Sequence, residues 1–424
     1  MLKFLFKGLV RDRSRSLFPI LTVFIGVALT VFLYSYLNGF VSDMIKSSAH
    51  YNSGHVRIMT KAYSQESNQS PNDLAIIGID TLIQDVEKSY PDMIWTPRIK
   101  FGGLIDIPDK NGETRIQGPV SGMAVDLFSR ESPERKFLNL DESLIKGRIP
   151  EKPNEILIAD DFARRLKVAP GDTATLLSST MYGSMVVTHF VIAGTIRFGI
   201  AALDRGAIIT DISDIQKSLD MNNAAGEILG FFKDDNFHSD KAYRIRDSFN
   251  EKYKNSEDEF APIMGALPEE SGLSDYMGLI DIASFVIIGI FIFAMAIVLW
   301  NAGLMGSLRR YGEMGVRLAV GEEKGHIYRT LILESIMIGI VGSFLGTLFG
   351  LIPSYLMEIY GLDLSFLFEK SSVMITGVLH ADVTYETYLI GFIPGILATV
   401  LGTSIAGIGI YKRETAQLFK ELEA

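Results

Sequence analysis

The chain has 424 residues, of which 48% are apolar, and its positive mean hydropathy of +0.23 is high for a soluble protein. This length allows more than one domain. The net charge of −10 argues against a general nucleic-acid binder, and the absence of cysteine excludes a disulfide framework and a thiolate metal site.

Four apolar stretches without a charged residue are each longer than the about 20 residues that cross the hydrocarbon core of a bilayer. They are residues 16–42, 282–308, 335–357 and 387–411. With their flanking residues they predict transmembrane helices at 16–42, 278–308, 332–357 and 387–411. A cleaved signal peptide is the alternative for the first, but its apolar region would be only about 7–15 residues long.

The charges beside these spans predict their orientation. Lysine and arginine outnumber the acidic residues in residues 1–15 and in the loop 309–329, and Lys412, Arg413 and Lys420 follow the fourth span, whereas the loop 358–386 is acidic. Because cytoplasmic loops carry the excess of positive residues, we place both termini and the loop 309–329 in the cytoplasm. Residues 43–275 and the short loop 358–386 are then outside.

The N-terminal segment 1–15 has its apolar and basic residues on different helical faces. The apolar ones are Leu2, Leu5, Phe6 and Leu9, and the basic ones are Lys3, Lys7 and Arg11. This spacing predicts an amphipathic helix in the plane of the headgroups, and a disordered basic tail is the alternative. Pro19 is expected near the start of the first span, where a missing N–H does no harm.

The outer segment 43–275 mixes strand and helix patterns, which predicts an α+β domain. Strand-like runs are residues 55–59, 76–79, 104–107, 155–158, 173–177, 185–195 and 206–210, and helical patterns are 79–89, 160–166, 213–219 and 238–252. Gly/Pro turns set off a β-rich subdomain near 140–212, inserted in an α+β core.

The loop 309–329 and the two spans after it carry the candidate site. Gly321 and Gly325 are expected to interrupt this segment, so we predict a short helix that ends near Val320. The third span repeats glycine every four residues, a stripe of small residues that lets helices approach closely. The packing residues are predicted to be Gly342, Gly346, Gly350, Gly391 and Gly395, facing helices of the same chain or of a second copy.

Motifs of catalysis are absent from the sequence. Gly-Lys never occurs, so there is no Walker A loop, and neither G-x-S-x-G nor H-E-x-x-H is present. We therefore predict no catalytic residue, no metal site and no cofactor in this chain. The uncharged spans also lack the intramembrane carboxylate expected of an ion-coupled transporter.

Residues 313–321, EMGVRLAVG, resemble the E-I-G-x-x-x-A-x-G signature of the FtsX/MacB-type (type VII) ABC transporter permeases. The N-terminal segment and first span, and the glycine-rich third span, are similar to this family as well. The tail at 415–418 lacks the proline and arginine of the family's Pro-x-x-A-L-R, so no contact is transferred there. Residues 145–148, 155–158, 166–168 and 170–172, with Phe198, Gly199 and Asp204, look like the MacB-type periplasmic domain, nearest to the lipoprotein-releasing LolC/LolE permeases.

The resemblance implies a membrane protein with four transmembrane helices and a large extracytoplasmic α+β domain between the first two. The loop 309–329 would dock on a separate ABC ATPase, present in two copies, which binds ATP and Mg. The implied coupling residues are Arg310, Glu313, Met314, Gly315, Arg317, Leu318, Ala319 and Gly321. A second permease copy would complete a homodimer or a LolC/LolE-like heterodimer.

The function that the resemblance implies is a non-enzymatic permease of a lipoprotein-releasing complex in a bacterial inner membrane. Its partners would be a lipoprotein substrate, a periplasmic lipoprotein carrier and the membrane, with no nucleic acid. Two alternatives stay open. One is a MacB-like efflux or mechanotransmission permease with an adaptor and an outer-membrane duct, and the other is an FtsX-like regulator of cell-wall hydrolases.

Overall fold

The computed structural model describes residues 13–109, 111–129, 132–270, 282–283, 285–301, 316–363 and 378–412. The chain divides into two compact units. We call residues 1–42, 277–362 and 379–424 the helical unit, and residues 43–276 with 363–378 the α+β unit.

Among the described residues, helices and strands alternate in the α+β unit, whereas the helical unit consists almost entirely of helices. The helices are α1 (Arg13–Ser48), α2 (Lys61–Gln65), α3 (Ile79–Ser89), α4 (Glu134–Phe137), α5 (Leu140–Ser143), α6 (Asp160–Leu166), α7 (Ala201–Asp204), α8 (Ile212–Ser218), α9 (Ser239–Tyr253), α10 (Leu267–Glu270), α11 (Phe285–Asn301), α12 (Lys324–Tyr360), α13 (Thr387–Ile390) and α14 (Phe392–Lys412). The strands are β1 (Val56–Thr60), β2 (Ile76–Ile77), β3 (Met93–Pro108), β4 (Thr114–Val125), β5 (Leu144–Gly147), β6 (Glu155–Ala159), β7 (Thr173–Ser179), β8 (Met185–Ile196), β9 (Ala207–Asp211), β10 (Ala224–Ala225), β11 (Glu227–Phe232), β12 (Pro262–Ala266), β13 (Leu362–Asp363) and β14 (Val378–Leu379).

Three stretches of helix among the described residues are long and apolar enough to cross a membrane: Leu17–Ser53, Lys324–Tyr360 and Thr387–Gly407. They coincide with the first, third and fourth predicted spans. The second predicted span, 278–308, is described as the shorter apolar helix α11, and its remaining residues lie largely outside the described part. The structure therefore supports a membrane protein, while the count of four spans stays a prediction.

Two local predictions in these helices are wrong. Pro19 lies inside α1, which extends at least to Arg13, so the proline is not at the helix start. Membrane helices tolerate such a proline because neighbouring groups can satisfy the freed carbonyl. Gly325 does not interrupt the segment after Gly321 but lies in the first turn of α12. A glycine within a helix costs only about 1 kcal/mol relative to alanine, which so long a helix tolerates.

The α+β unit is built around the long strand β3, which belongs to two parts of one sheet. The first half of β3 pairs with β11 and continues an antiparallel sheet through β1 to β12. The second half pairs with β4 on one side and β7 on the other. Because β4, β9, β6, β8 and β7 pair in turn, the path closes on β3 as a six-stranded barrel.

The barrel changes the boundaries of the predicted β-rich subdomain. The predicted range 140–212 contains β5 to β9, but the second half of β3 and all of β4 complete the same barrel. The subdomain therefore takes strands from both sides of α4 and α5. One hydrophobic core fills the unit and includes side chains from β1, β3, β6 and β9 that are fully or almost fully buried.

Candidate functional site

The glycine stripe of α12 packs directly on α1. A Cβ atom added to Gly342 would lie 2.8 Å from Cβ of Val23, and one added to Gly346 would lie 2.7 Å from the carbonyl oxygen of Phe24. At Gly350 the corresponding neighbour is the carbonyl oxygen of Ala28, at 2.7 Å. Real Cβ atoms do not approach this closely, so these three positions require glycine if α1 and α12 keep their distance.

The two predicted glycines near the start of α14 face the same region from the other side. A Cβ at Gly391 would meet Oγ1 of Thr347 and Cγ1 of Val27, both at 2.7 Å. Gly395 lies against Oγ of Ser343 and against the same Val27. The fully buried Val27 of α1 thus sits between α12 and the glycines that precede and begin α14. These close approaches all lie within one chain, whereas packing of the same glycines against a second copy stays a prediction.

Hydroxyl groups line this interface, and the sequence interpretation missed them. The hydroxyl of Ser35 on α1 lies 2.6 Å from that of Ser354 on α12, which donates to the carbonyl of Gly350 at 2.9 Å. Ser343 and Thr347 are buried beside Gly395 and Gly391, and their hydroxyls have no hydrogen-bond partner among the described residues. The signal was available, because Ser343, Thr347 and Ser354 recur at helical spacing beside the glycine stripe.

The segment ahead of α12 ends its helical turn in a defined motif. Residues 316–319 are helical, and Gly321 adopts a left-handed φ of 98°. Its N–H donates to the carbonyl of Leu318 at 3.1 Å, and the N–H of Glu322 donates to that of Arg317 at 3.0 Å. This pair of bonds is the Schellman termination of a helix, for which glycine is the preferred residue. The predicted helix end near Val320 is confirmed.

The predicted coupling residues that the structure describes differ in accessibility. Leu318 packs against Ile327 within the chain, and Arg317 is half-buried. Ala319 and Gly321 are exposed, as are Val316 and Val320, which expose 57% and 84% of their surface. The two valines were not among the predicted coupling residues. Arg310, Glu313, Met314 and Gly315 lie outside the described residues.

In the α+β unit, exposed large apolar side chains concentrate on the hairpin of β7 and β8. Tyr182 at its tip is 75% exposed, Met185 81% and Val187 54%. Apolar groups gathered on one exposed surface often mark a contact with another protein or a membrane. Among the described residues, no group of three or more histidine, aspartate or glutamate side chains is arranged to hold a metal ion.

Two models of known protein families match the chain. A model described as the MacB-like periplasmic core domain matches residues 16–235, more than half of the chain. A second model, described as the FtsX-like permease C-terminal domain, matches residues 285–415 and thus includes α11, α12 and α14. The chain belongs to the FtsX/MacB-type ABC transporter permeases.

Other comparisons add little to that assignment. No curated protein matches the chain. Among solved structures, the periplasmic region of MacB from Actinobacillus actinomycetemcomitans is similar with 9% sequence identity and a TM-score of 0.35, and the match covers 53% of this chain and 94% of that one. The family assignment rests on the two sequence models.

Membership of this permease family has direct consequences for the chain. It is a membrane-spanning permease with a periplasmic domain, which is consistent with an inner-membrane location. Permeases of ABC transporters are transmembrane subunits rather than enzymes, and the family implies an ATPase partner and a dimeric assembly.

Proposed function

We propose that this FtsX/MacB-type permease extracts lipoproteins from the inner membrane and passes them to a periplasmic carrier, using ATP hydrolysis by a separate ATPase. The observation that carries the proposal is the pair of family matches, which join a permease domain to a periplasmic core domain in one chain. Both termini and the loop 309–329 would lie in the cytoplasm. Two ATPase copies and a second permease, identical or of a LolC/LolE-like kind, would complete the complex.

The exposed side of α1 supports a lipid-like substrate. Its valines face α12 and α14, whereas the opposite side exposes a row of large apolar residues at helical spacing. These are Leu17, Phe18, Leu21, Ile25 and Leu29, each 48% to 66% exposed. An apolar row of this kind suits acyl chains and offers nothing to a small polar solute, because polar groups lose water at such a surface without gaining hydrogen bonds.

The segment before α12 supports an ATPase contact in the cytoplasm. Val316 and Val320 lie one helical turn apart and are both exposed, and the Schellman motif at Gly321 fixes the end of their turn. Exposed apolar side chains one helical turn apart are suited to enter an apolar groove on a partner. The proposal therefore adds Val316 and Val320 to the predicted coupling residues.

The decisive experiment is to purify the chain with its partners from its native membrane and to identify the bound proteins and lipids by mass spectrometry. A P-loop ATPase with an acylated lipoprotein would support the proposal. Release of that lipoprotein to a soluble carrier upon ATP addition, in vesicles, would complete the evidence. An adaptor and an outer-membrane duct would replace the proposal with efflux, and a cell-wall hydrolase would replace it with regulation.

Two matched variants test whether Val320 contacts the ATPase. Val320→Glu should lower ATPase binding about tenfold or more, because a charge would be buried in the contact. The control Val187→Glu places the same charge on an exposed valine of the β7–β8 hairpin and should leave ATPase binding unchanged. Equal binding by both variants would remove Val320 from the contact. The untested coupling residues Glu313 and Gly315 can be probed in the same assay with Glu313→Arg and Gly315→Trp.

A further inference from the structure

The C-terminal end of α1 lies in the α+β unit and needs hydrogen-bond donors. Residues 43–48 of α1 belong to this unit, and the chain continues as a π-helical turn, Ala49–Ser53. The last carbonyl groups of a helix have no partner within it, and they carry the negative end of the helix dipole. A cationic donor is therefore the favoured partner at this position.

Strand β3 supplies two such donors. Nη1 of Arg98 donates to the carbonyl oxygen of His50 at 2.6 Å. Nζ of Lys100 donates to the carbonyl oxygen of Asn52 at 2.9 Å and to its side-chain Oδ1 at 3.1 Å. Because alternate residues of a strand point to the same face, the spacing of Arg98 and Lys100 places both cations under one turn of the chain.

Each cation is itself held by a buried carboxylate. Nε and Nη2 of Arg98 donate to the two oxygens of Glu134 at 2.8 and 2.6 Å, and both side chains are fully buried. Lys100 pairs with the fully buried Glu227 at 2.9 Å, and Glu227 also pairs with Arg57 at 3.1 Å. Buried ion pairs of this kind are seldom more stabilising than well-packed apolar residues. We therefore attribute their role to the position in which they hold the side chains of Arg98 and Lys100.

The side chain of His50 strengthens the same position. Its Nε2 lies 2.8 Å from a carboxylate oxygen of Asp235, and its ring stacks on Phe137 with centroids 5.1 Å apart. Strand β3 thus holds the turn 49–53 through two main-chain carbonyl groups. The side chain of His50 connects the same turn to α4 and to the segment after β11.

We propose that Arg98 and Lys100 are positioning residues that seat the end of α1 on β3, so that a displacement of α1 moves the sheet with it. The inference deepens the proposed function and rests on it, because ATP-driven work outside the membrane requires the helix and the sheet to move together. Arg98 and Lys100 hold the end of α1 through the carbonyl groups of His50 and Asn52.

The test variant is Lys100→Met, which removes the seat at Asn52 without leaving a buried carboxylate unpaired, since Glu227 keeps its contact with Arg57. The matched control is Arg148→Met. Arg148 pairs with Glu155, a buried carboxylate that also accepts the N–H groups of Glu151 and Lys152, and its hydrogen bonds do not involve the turn 49–53. Lys100→Arg tests whether a longer cation restores the seat.

Hydrogen exchange of the full-length chain gives the first readout. In Lys100→Met we expect amide exchange in residues 49–55 to become about tenfold faster, because charge-assisted hydrogen bonds to the turn are lost, while exchange in β6 and β9 is unchanged. Arg148→Met should leave residues 49–55 at the parent rate, and Lys100→Arg should return to it. Unchanged exchange in Lys100→Met, or an equal increase in Arg148→Met, would overturn the inference.

Spin-label distances in the complete complex with its ATPase give the second readout. The chain has no cysteine, so labels can be placed at Lys46→Cys in α1 and Asp85→Cys in α3, both exposed. The parent should keep one narrow distance distribution with and without ATP, whereas Lys100→Met should broaden it at least about twofold during hydrolysis, as expected for a locally released element. An equally narrow distribution in Lys100→Met would overturn the seat. A parent complex that hydrolyses no ATP would instead reject the proposed function, and the exchange experiment would still decide the inference.

Discussion

The two units hold a helix in opposite ways. In the helical unit α1 contacts α12 through glycines, valines and a pair of serine hydroxyls, with main-chain atoms at the closest points. In the α+β unit the end of the same helix is held by buried ion pairs that reach its carbonyls. Helices in lipid gain nothing from hiding apolar surface and associate by close packing, whereas a water-soluble core must fix each buried polar group with a partner. The difference predicts which substitutions each unit tolerates.

The largest effect is expected for Gly346→Leu in the helical unit. The leucine would collide with the carbonyl of Phe24 and with Val27, which cannot move without separating α1 from α12. We expect a destabilisation above about 3 kcal/mol, the upper range for overpacking, seen as loss of a monodisperse peak in detergent.

The matched control is Gly289→Leu on α11, where an added Cβ has nothing within 4 Å among the described residues. This variant should purify like the parent. If both leucine variants behave alike, the close contact of α12 with α1 does not hold the helical unit together.

The next effect tests the buried ion pair of the α+β unit. Arg98→Ala leaves the buried Glu134 without its ion-pair partner, and breaking such a pair costs about 3–5 kcal/mol. This corresponds to a fall of about 10 °C in the melting temperature of a domain of this size, measured by fluorescence of the full-length protein.

The neighbouring pair Arg135–Asp141 provides the comparison. Its side chains are 52% and 64% exposed, and solvent screening limits such a pair to about 1 kcal/mol or less. Arg135→Ala should therefore change the melting temperature by no more than about 3 °C. If the melting temperature fell as far as in Arg98→Ala, burial of the ion pair would not explain the large effect of Arg98→Ala.

A smaller effect is expected from pH through His55. Burial lowers the pKa of His55 from 6.5 to about 4, and its Nδ1 accepts the N–H of Phe232 at 3.0 Å. The unfolded chain binds the proton first, so the stability that this histidine contributes is complete above pH 6.5 and is lost as the pH falls towards 4. The melting temperature of the parent should therefore drop across this window.

The variant His55→Asn keeps an acceptor near the N–H of Phe232 but does not titrate. Its melting temperature should be lower than that of the parent at pH 7, and it should fall less between pH 6.5 and 4. A parallel fall in both proteins would assign the pH dependence to other groups.

The smallest effect concerns Gly321→Ala in the segment ahead of α12. A φ of 98° is unfavourable for any side chain, and the cost is about 1 kcal/mol. Global melting should change by less than about 3 °C, while ATPase stimulation should fall because the turn with Val316 and Val320 is misplaced. Normal stimulation would show that the Schellman motif is not needed for coupling.

The sequence predicted an element correctly where its residue pattern reports a single buried face. The helices at residues 79–89 and 160–166 have the predicted bounds, because apolar residues at helical spacing report a single buried face. Strand β8 extends over the predicted run with one further residue. The glycine stripe was likewise visible, since residues four apart lie on the same side of a helix.

The missed strands have identifiable causes. Strand β4 contains Gly118, Pro119 and Gly122, which indicate a turn rather than a strand. The structure accepts Pro119 because this part of β4 pairs with β3 alone. Strand β11 is buried along its whole length, so it has no alternation, and its first residue, Glu227, is a charge whose partners come from β1 and β3.

The sequence by itself predicted three helices that are long and apolar enough to span a membrane, the helix end at Gly321, the family and the face of α12 that packs. Each of these depends on residues close together in the chain. Only the tertiary structure decided which surface meets that face, how β3 closes the barrel, and that Arg98 and Lys100 hold the end of α1. Those features join residues far apart in sequence, and a charge such as Lys100 has the same local pattern on a solvated strand as in a buried pair. The partner, rather than the residue, determines its role.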